Sequence, residues 1–186
     1  MILDIFSHYH GCKRFKGEDF LHFSSFSLHE MGEMCIIVGE SGTTGMFYGQ
    51  KDLAIDDKSR LVLPSLFRDE FKGGVCYASL GLDSCIELYP EETYQEIAKK
   101  YMALSDFDPK ARKVKRTFIS NTFSVSIDSH NRILLPKPLS LKTGINRKVV
   151  VVGMYDHLEI WDSELFEKNS KEAEDSFSED AMSLNL

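Results

Sequence analysis

Ile55-Asp56-Asp57-Lys58-Ser59-Arg60-Leu61-Val62-Leu63-Pro64 recurs seventy-two residues later as Ile127-Asp128-Ser129-His130-Asn131-Arg132-Ile133-Leu134-Leu135-Pro136. The same offset carries Leu80-Gly81 onto Val152-Gly153 and Ile86-Glu87-Leu88-Tyr89 onto Leu158-Glu159-Ile160-Trp161 without a gap. A repeat of this length predicts two copies of one supersecondary unit packed about a pseudo-twofold axis. Units of roughly 45 residues bury too little surface to be stable singly, so they are expected to be halves of one core.

Each copy reads as strand, turn, strand and short helix, followed by a second hairpin. In the first copy the strand Phe47–Asp56 meets the turn Asp57-Lys58-Ser59 and returns as Leu61-Val62-Leu63. Pro64 ends that strand and suits the first turn of a helix. Gly73-Gly74 precede a strand at 75–80, and Leu82-Asp83-Ser84 turns into 85–89. Pro90 opens a helix with Glu91 and Glu92 in its first turn, where carboxylates suit the helix dipole. It is expected to run to about 104. Asp108 is a candidate N-cap for a second helix over 109–120. The second copy follows with strands at 122–128, 133–135, 148–154 and 158–161. A last helix begins at Ser163, another N-cap candidate, and is expected to fade into the acidic, polar tail Glu172–Leu186, disordered near its end.

The functional signal lies in the two Asp-x-x-x-Arg turns. Asp56 and Asp128 can accept backbone N–H bonds inside their turns, as Asp does in Asx-type turns. Arg60 and Arg132 then project from the start of each returning strand. Alone, such a turn is a tight bend with a weak surface ion pair. Two symmetry-related guanidinium forks on one face suit a repeating polyanion. The densest basic run, Lys110-Ala111-Arg112-Lys113-Val114-Lys115-Arg116, puts Ala111, Val114 and Phe118 on one side of a helix and the charges on the other. It reads either as a solvated face or as a set of phosphate contacts without sequence information.

Charge distribution permits this reading. The formal net charge is −7, yet residues 46–161 hold seventeen basic against fifteen acidic side chains. Other chemistry fails on its motifs. Glu87 and Glu159 occupy equivalent strands but follow ordinary sheet alternation. His8-x-His10-x-Cys12 lacks the second cluster a zinc site needs, so no metal is expected. Gly39-Glu40-Ser41-Gly42-Thr43-Thr44-Gly45 has neither the lysine nor the spacing of a phosphate-binding loop, and Thr43 spoils a nucleophile elbow. No enzyme, cofactor or small-molecule substrate is expected. Cys12, Cys35, Cys76 and Cys85 form no CxxC pair or disulfide framework, which points to an intracellular protein. No apolar run reaches the length of a membrane span, and no signal peptide is recognisable.

Met46-Phe47-Tyr48-Gly49, the segment Ile55 to Pro64, Arg68, Gly81-Leu82-Asp83, Leu88-Tyr89-Pro90, Asp128-x-x-x-Arg132 and Val152-Gly153…Leu158-Glu159-Ile160-Trp161-Asp162 together resemble the MraZ family. The resemblance covers about 46–167. It implies a mainly β fold with flanking α, a double-ψ or swapped-hairpin AbrB-like β-barrel built from two tandem repeats with helices outside. The implied parts are SpoVT-AbrB units at 50–92 and 121–164, a helical connector at 93–120, and a C-terminal helix and acidic tail at 165–186. It further implies a cytoplasmic, nucleoid-associated regulator of transcription. Such a regulator assembles into rings, binds direct repeats in its own promoter as double-stranded DNA, and usually represses the division and cell-wall gene cluster. The DNA-facing residues implied are Arg60, Arg132 and Lys58, with Asp56 and Asp128 shaping the turns and His130 and Asn131 as second-unit contacts. An antitoxin-like regulator and a protein–protein scaffold docking through the last helix are the alternatives.

Two departures from the family pattern carry expectations. Family members commonly have Gly before the motif arginine, where this chain has Ser59 and Asn131. Ser reaches a left-handed backbone less readily than Asn, so the first turn is expected to differ in shape. Residues 1–45 precede the Met-Phe-x-Gly motif and are expected to be a disordered or non-native extension, with Met46 as the true start.

Overall fold

The computed structural model describes residues 46–184. The expectations for residues 1–45, including the His8-x-His10-x-Cys12 and glycine-rich segments, lie outside the described residues. Among those described, eight strands and five α-helices follow in order. The first half contributes β1 (Gln50–Ala54), β2 (Arg60–Val62), α1 (Ser65–Arg68), β3 (Val75–Leu80), β4 (Ile86–Pro90) and α2 (Glu91–Met102). After α3 (Pro109–Ser120) the second half supplies β5 (Phe123–Ser126), β6 (Arg132–Leu134), α4 (Lys137–Thr143), β7 (Lys148–Gly153), β8 (Leu158–Asp162) and α5 (Ser163–Ser183).

The halves are exchanged rather than stacked. One six-stranded antiparallel sheet runs β1-β7-β8-β4-β3-β5, so β1 pairs with the second half and β5 with the first. A separate ribbon pairs β2 with β6, and the bridge Ile127–Ile133 links β6 to the chain leaving β5. The pseudo-twofold axis passes through two places where a residue faces its own repeat equivalent. Leu61 pairs with Ile133 on the ribbon, and Glu87 pairs with Glu159 on the sheet.

Burial obeys the same axis. Leu61 and Ile133, Leu63 and Leu135, Phe67 and Leu139, Ile86 and Leu158, and Leu88 and Ile160 all lie in one core drawn from both halves. Period-2 alternation directs them inward and leaves their neighbours outside. The ungapped repeat needs one correction. Leu80 pairs with Ile86, but Val152, its sequence equivalent, pairs with Glu159 rather than Leu158. In β7 the inward residues are Val149 and Val151, matching Cys76 and Ala78 at an offset one residue longer. A one-residue slip would otherwise turn Lys148 into the core. The second hairpin loop is one residue shorter, which restores the offset by β8.

The helices lie outside the sheet. Stacked rings of Tyr77, Tyr94, Tyr101 and Phe118 fasten α2 and α3 to β3. Asp108 caps α3 as expected, accepting from the Lys110 N–H at 2.8 Å. Ala111 and Phe118 are buried, but Val114 is exposed, so the apolar side of α3 is narrower than its spacing predicts. The cap of α5 is Asp162, not Ser163, with the Glu164 N–H 3.1 Å from its carboxylate. Nor does α5 fade at Glu172; it continues to Ser183, with a Lys168–Glu172 pair one turn apart. Among the described residues no helix is long and apolar enough to cross a membrane.

Phe47, fully buried, anchors the chain ahead of β1 against Phe67 and Phe71, with ring centroids 6.2 and 5.3 Å away. Its backbone exchanges hydrogen bonds of 2.8 and 2.9 Å with Tyr155. That crossing leaves no room above Gly153: a Cβ there would lie 2.5 Å from the Phe47 carbonyl carbon and the Tyr48 nitrogen. Gly153→Ala is therefore expected to lower stability by about 1–3 kcal/mol, the usual cost of overpacking, measured by urea denaturation.

Candidate nucleic-acid interface

Each Asp-x-x-x-Arg turn is closed by its own backbone first. The Ser59 N–H donates to the Asp56 carbonyl and the Asp56 N–H to the Arg60 carbonyl, both at 2.9 Å. Asn131 and Arg132 repeat those bonds to Asp128, again at 2.9 Å. This is a β-turn followed by one left-handed residue, a usual three-residue hairpin loop. Ser59 sits at φ 59° and Asn131 at φ 58°. The expected difference in shape at the first turn is not seen. Ser59 adopts the conformation that glycine would take, because the carboxylate of Asp56 holds the turn from both ends.

That carboxylate does two jobs. Oδ1 of Asp56 accepts from the N–H groups of Lys58 and Arg60, each at 2.9 Å. Oδ2 accepts from Arg60 Nε at 2.7 Å and lies 2.6 Å from its Nη2. In the second turn Asp128 accepts from the N–H groups of His130 and Arg132 at 2.8 and 3.0 Å, and from Arg132 Nε at 2.8 Å. The guanidinium of each motif arginine is thus aimed by its own turn. Its Nη1 edge has no hydrogen-bond partner among the described residues. The side-chain hydrogen bond from Arg60, then the backbone bonds from Arg60 and Lys58, hold Asp56 down at a pKa of about 2. The Arg132 side chain, with the backbone bonds from Arg132 and His130, likewise holds Asp128 well below the ordinary carboxylate range.

The ribbon brings the two arginines together. Leu61 and Ile133 point inward and are fully buried, so Arg60, Val62, Arg132 and Leu134 all leave by the opposite, outer face. On that face Arg60 is opposite Leu134 and Arg132 opposite Val62. The arginines are diagonal neighbours, with backbones on the order of 7–8 Å apart by strand geometry. Each turn is fastened to the other half: the Leu63 N–H donates to Asn131 and the Leu135 N–H to Ser59, at 2.9 and 3.0 Å. Lys58 and His130 are exposed at the turn tips, and Asn131 is half-buried.

Three features of this face escape sequence reading. Arg147, which precedes β7, pairs with Asp57 across the strand exchange and offsets that charge. Lys137, at the start of α4, lines a groove with Lys58, Ser59 and Leu134. Neither residue carries a local motif. Val62 and Leu134 do, being repeat equivalents two places after the arginines, but an apolar residue in a strand reads by default as core.

The other polar sites are of different character. Glu87 and Glu159 face each other, held by Tyr89 Oη at 2.7 Å and Trp161 Nε1 at 2.9 Å. Their ligand atoms lie within 4.8 Å of the buried Cys85 thiol. Two facing carboxylates give this end of the twofold an acidic character, opposite to that of the ribbon. Burial pushes Cys76 up to about 12, and both described cysteines are free. On α3, Lys115 pairs with Asp106 at 2.7 Å and Arg112 donates to the Asp106 carbonyl, which occupies two of its five cations.

Two predictions follow from the turns. A left-handed non-glycine residue costs roughly 1–2 kcal/mol, partly offset by the larger unfolded-state entropy of glycine. Ser59→Gly is therefore expected to raise stability by about 0.5–1 kcal/mol in urea denaturation, with a smaller gain for Asn131→Gly. Because the folded Asp56 pKa is depressed from 3.8 to about 2, its stabilising contribution is complete above pH 3.8 and is lost as pH falls toward 2. Carboxyl NMR should show a midpoint near pH 2, returning toward 3.8 in Arg60→Ala.

Comparison with known proteins agrees with this architecture. The family model described as "MraZ protein, putative antitoxin-like" matches residues 46–117 and again 118–185. A protein of Thermomicrobium roseum named "Transcriptional regulator MraZ" is 42% identical over 120 residues, covering 64% of this chain and 83% of that protein. One of the same name from Mycoplasmoides gallisepticum is 36% identical over 140 residues, covering 75% and 98%. Another, from Mesoplasma florum, is 32% identical over 139 residues, covering 75% and 95%. With two tandem matches spanning the swapped halves, the chain belongs to the MraZ family.

Proposed function

We propose that this protein is a DNA-binding transcriptional regulator that grips double-stranded promoter DNA through the outer face of the β2–β6 ribbon. The observation that carries the reading is the pair of Asp-held arginines leaving one face of that ribbon. Arg60 and Arg132 are the main contacts, with Lys58, His130 and Asn131 beside them and Asp56 and Asp128 shaping the turns. The relatives' name, transcriptional regulator, supports the same reading.

In its finer form the proposal is a repressor of the division and cell-wall gene cluster, binding direct repeats in its own promoter. Its units are SpoVT-AbrB-type domains at 50–92 and 121–164, joined by a helical connector at 93–120 and followed by the C-terminal segment 165–186. One chain offers few phosphate contacts, and these are weak at cellular salt. A ring of copies facing repeated sites turns them into avidity through effective concentrations near the millimolar range. The protein then works in the cytoplasm, on the nucleoid, and needs no cofactor or small-molecule substrate.

The words "antitoxin-like" in the family description, together with the exposed acidic end of α5, favour an antitoxin-like regulator as the second reading. A small toxin gene beside this one, and capture of its product by α5, would support it.

Arg60→Ala tests the main reading in a gel-shift assay on the DNA upstream of the gene. Losing the Arg60 phosphate contact weakens binding on any sequence and lowers the salt slope by about one, and a ring loses one contact per copy, so binding should vanish while the assembled mass stays unchanged. Wild-type affinity should fall steeply with salt, by roughly 0.9 log units per log unit of salt for each phosphate neutralised. Undiminished binding by Arg60→Ala would refute the assignment.

A further inference from the structure

We propose that Val62 and Leu134 read sequence by seating against thymine C5-methyl groups in the major groove. This rests on the nucleic-acid reading above and extends it from phosphate grip to base identity. The two residues are repeat equivalents at the centre of the outer ribbon face. Val62 is 48% exposed and Leu134 58%, while Leu61 and Ile133 beside them are wholly buried. Each lies across the ribbon from a motif arginine, Val62 from Arg132 and Leu134 from Arg60. Leu134 also borders the groove lined by Lys58 and Lys137.

An aliphatic pair beside two Asp-held arginines and Lys58 and Lys137 suits an occupant that is anionic at its margins and apolar at its centre. A DNA major groove has that profile. Phosphates line its rims, and its floor presents one apolar group that marks base identity, the thymine methyl. The groove is about 12 Å wide and admits a two-stranded β-ribbon. Guanidinium groups on one diagonal of the face would hold the ribbon in register at the rim while the shorter side chains on the other diagonal meet the floor. The arginines alone contact phosphate, which is the same for every sequence. With the arginines held at the phosphates, the branched aliphatics supply the discrimination between bases.

The test uses the full chain and one DNA probe, the region upstream of its own gene, prepared either with thymidine or with deoxyuridine throughout. Uracil pairs as thymine does but lacks the methyl. Burying one methyl is worth about a fourfold change in affinity. With two such contacts per chain, the wild type should therefore bind the thymidine duplex at least about fifteenfold more tightly than the deoxyuridine duplex. In Val62→Ser/Leu134→Ser, substitutions at solvent-facing strand positions, that ratio should fall to about one while binding to the deoxyuridine duplex persists. Equal binding of both duplexes by the wild type overturns the methyl readout and leaves the arginine grip intact. Binding of neither duplex overturns both readings together. A double variant that keeps the wild-type ratio but loses its assembled mass assigns the two side chains to a contact between copies, which also overturns the proposal.

Discussion

The exchange of strands between the two halves is the constraint from which the remaining structure follows. β1 finds its partner in β7 and β5 finds its partner in β3, so neither half can close its sheet without the other. A half of this size buries too little apolar surface to fold singly. Exchange solves that by drawing one core from both halves, as the cross-half pairs Ile86 with Ile160 and Leu88 with Leu158 illustrate. It also brings the two short strands β2 and β6 together into a ribbon neither half could form.

On that ribbon one geometry fixes both the buried and the exposed face. Leu61 and Ile133 sit on the twofold and drive one face into the core. Alternation then obliges Arg60 and Arg132 to leave by the other face together. Asp56 and Asp128 set the aim of each guanidinium at a cost in charge, since each carboxylate offsets its own arginine. What the pair retains is direction: a planar fork held by Nε, with its far edge open. An unrestrained arginine would have to surrender that freedom on binding.

The twofold also separates two electrostatic characters. At one point of the axis an aliphatic pair is flanked by arginines, and at the other two carboxylates face each other. Glu87 and Glu159 would repel across a bare ladder. Tyr89 and Trp161, each two residues further on, donate to them and keep them apart. His157 lies beside Glu159 as well; burial disfavours its charge, but the carboxylates of Glu159 and Asp156 outweigh that and raise its pKa. The guanidinium groups thus lie on the ribbon and the facing carboxylates on the sheet.

The sequence by itself determined that the chain is duplicated, where its turns lie, and that Asp56, Arg60, Asp128 and Arg132 share one local design. Those properties are encoded within ten residues, where an Asp can reach the N–H groups two and four places on. It also identified Asp108 as a cap, for the same local reason. Only the tertiary structure decided which strands pair. Pairing energy between the halves depends on partners forty-five or more residues away, and the β7 register slipped by one residue where an ungapped repeat predicted none. Local reading likewise missed the Arg147–Asp57 link and the outward placement of Val62 and Leu134. A side chain's facing is set by the strand opposite it, and that strand belongs to the other half.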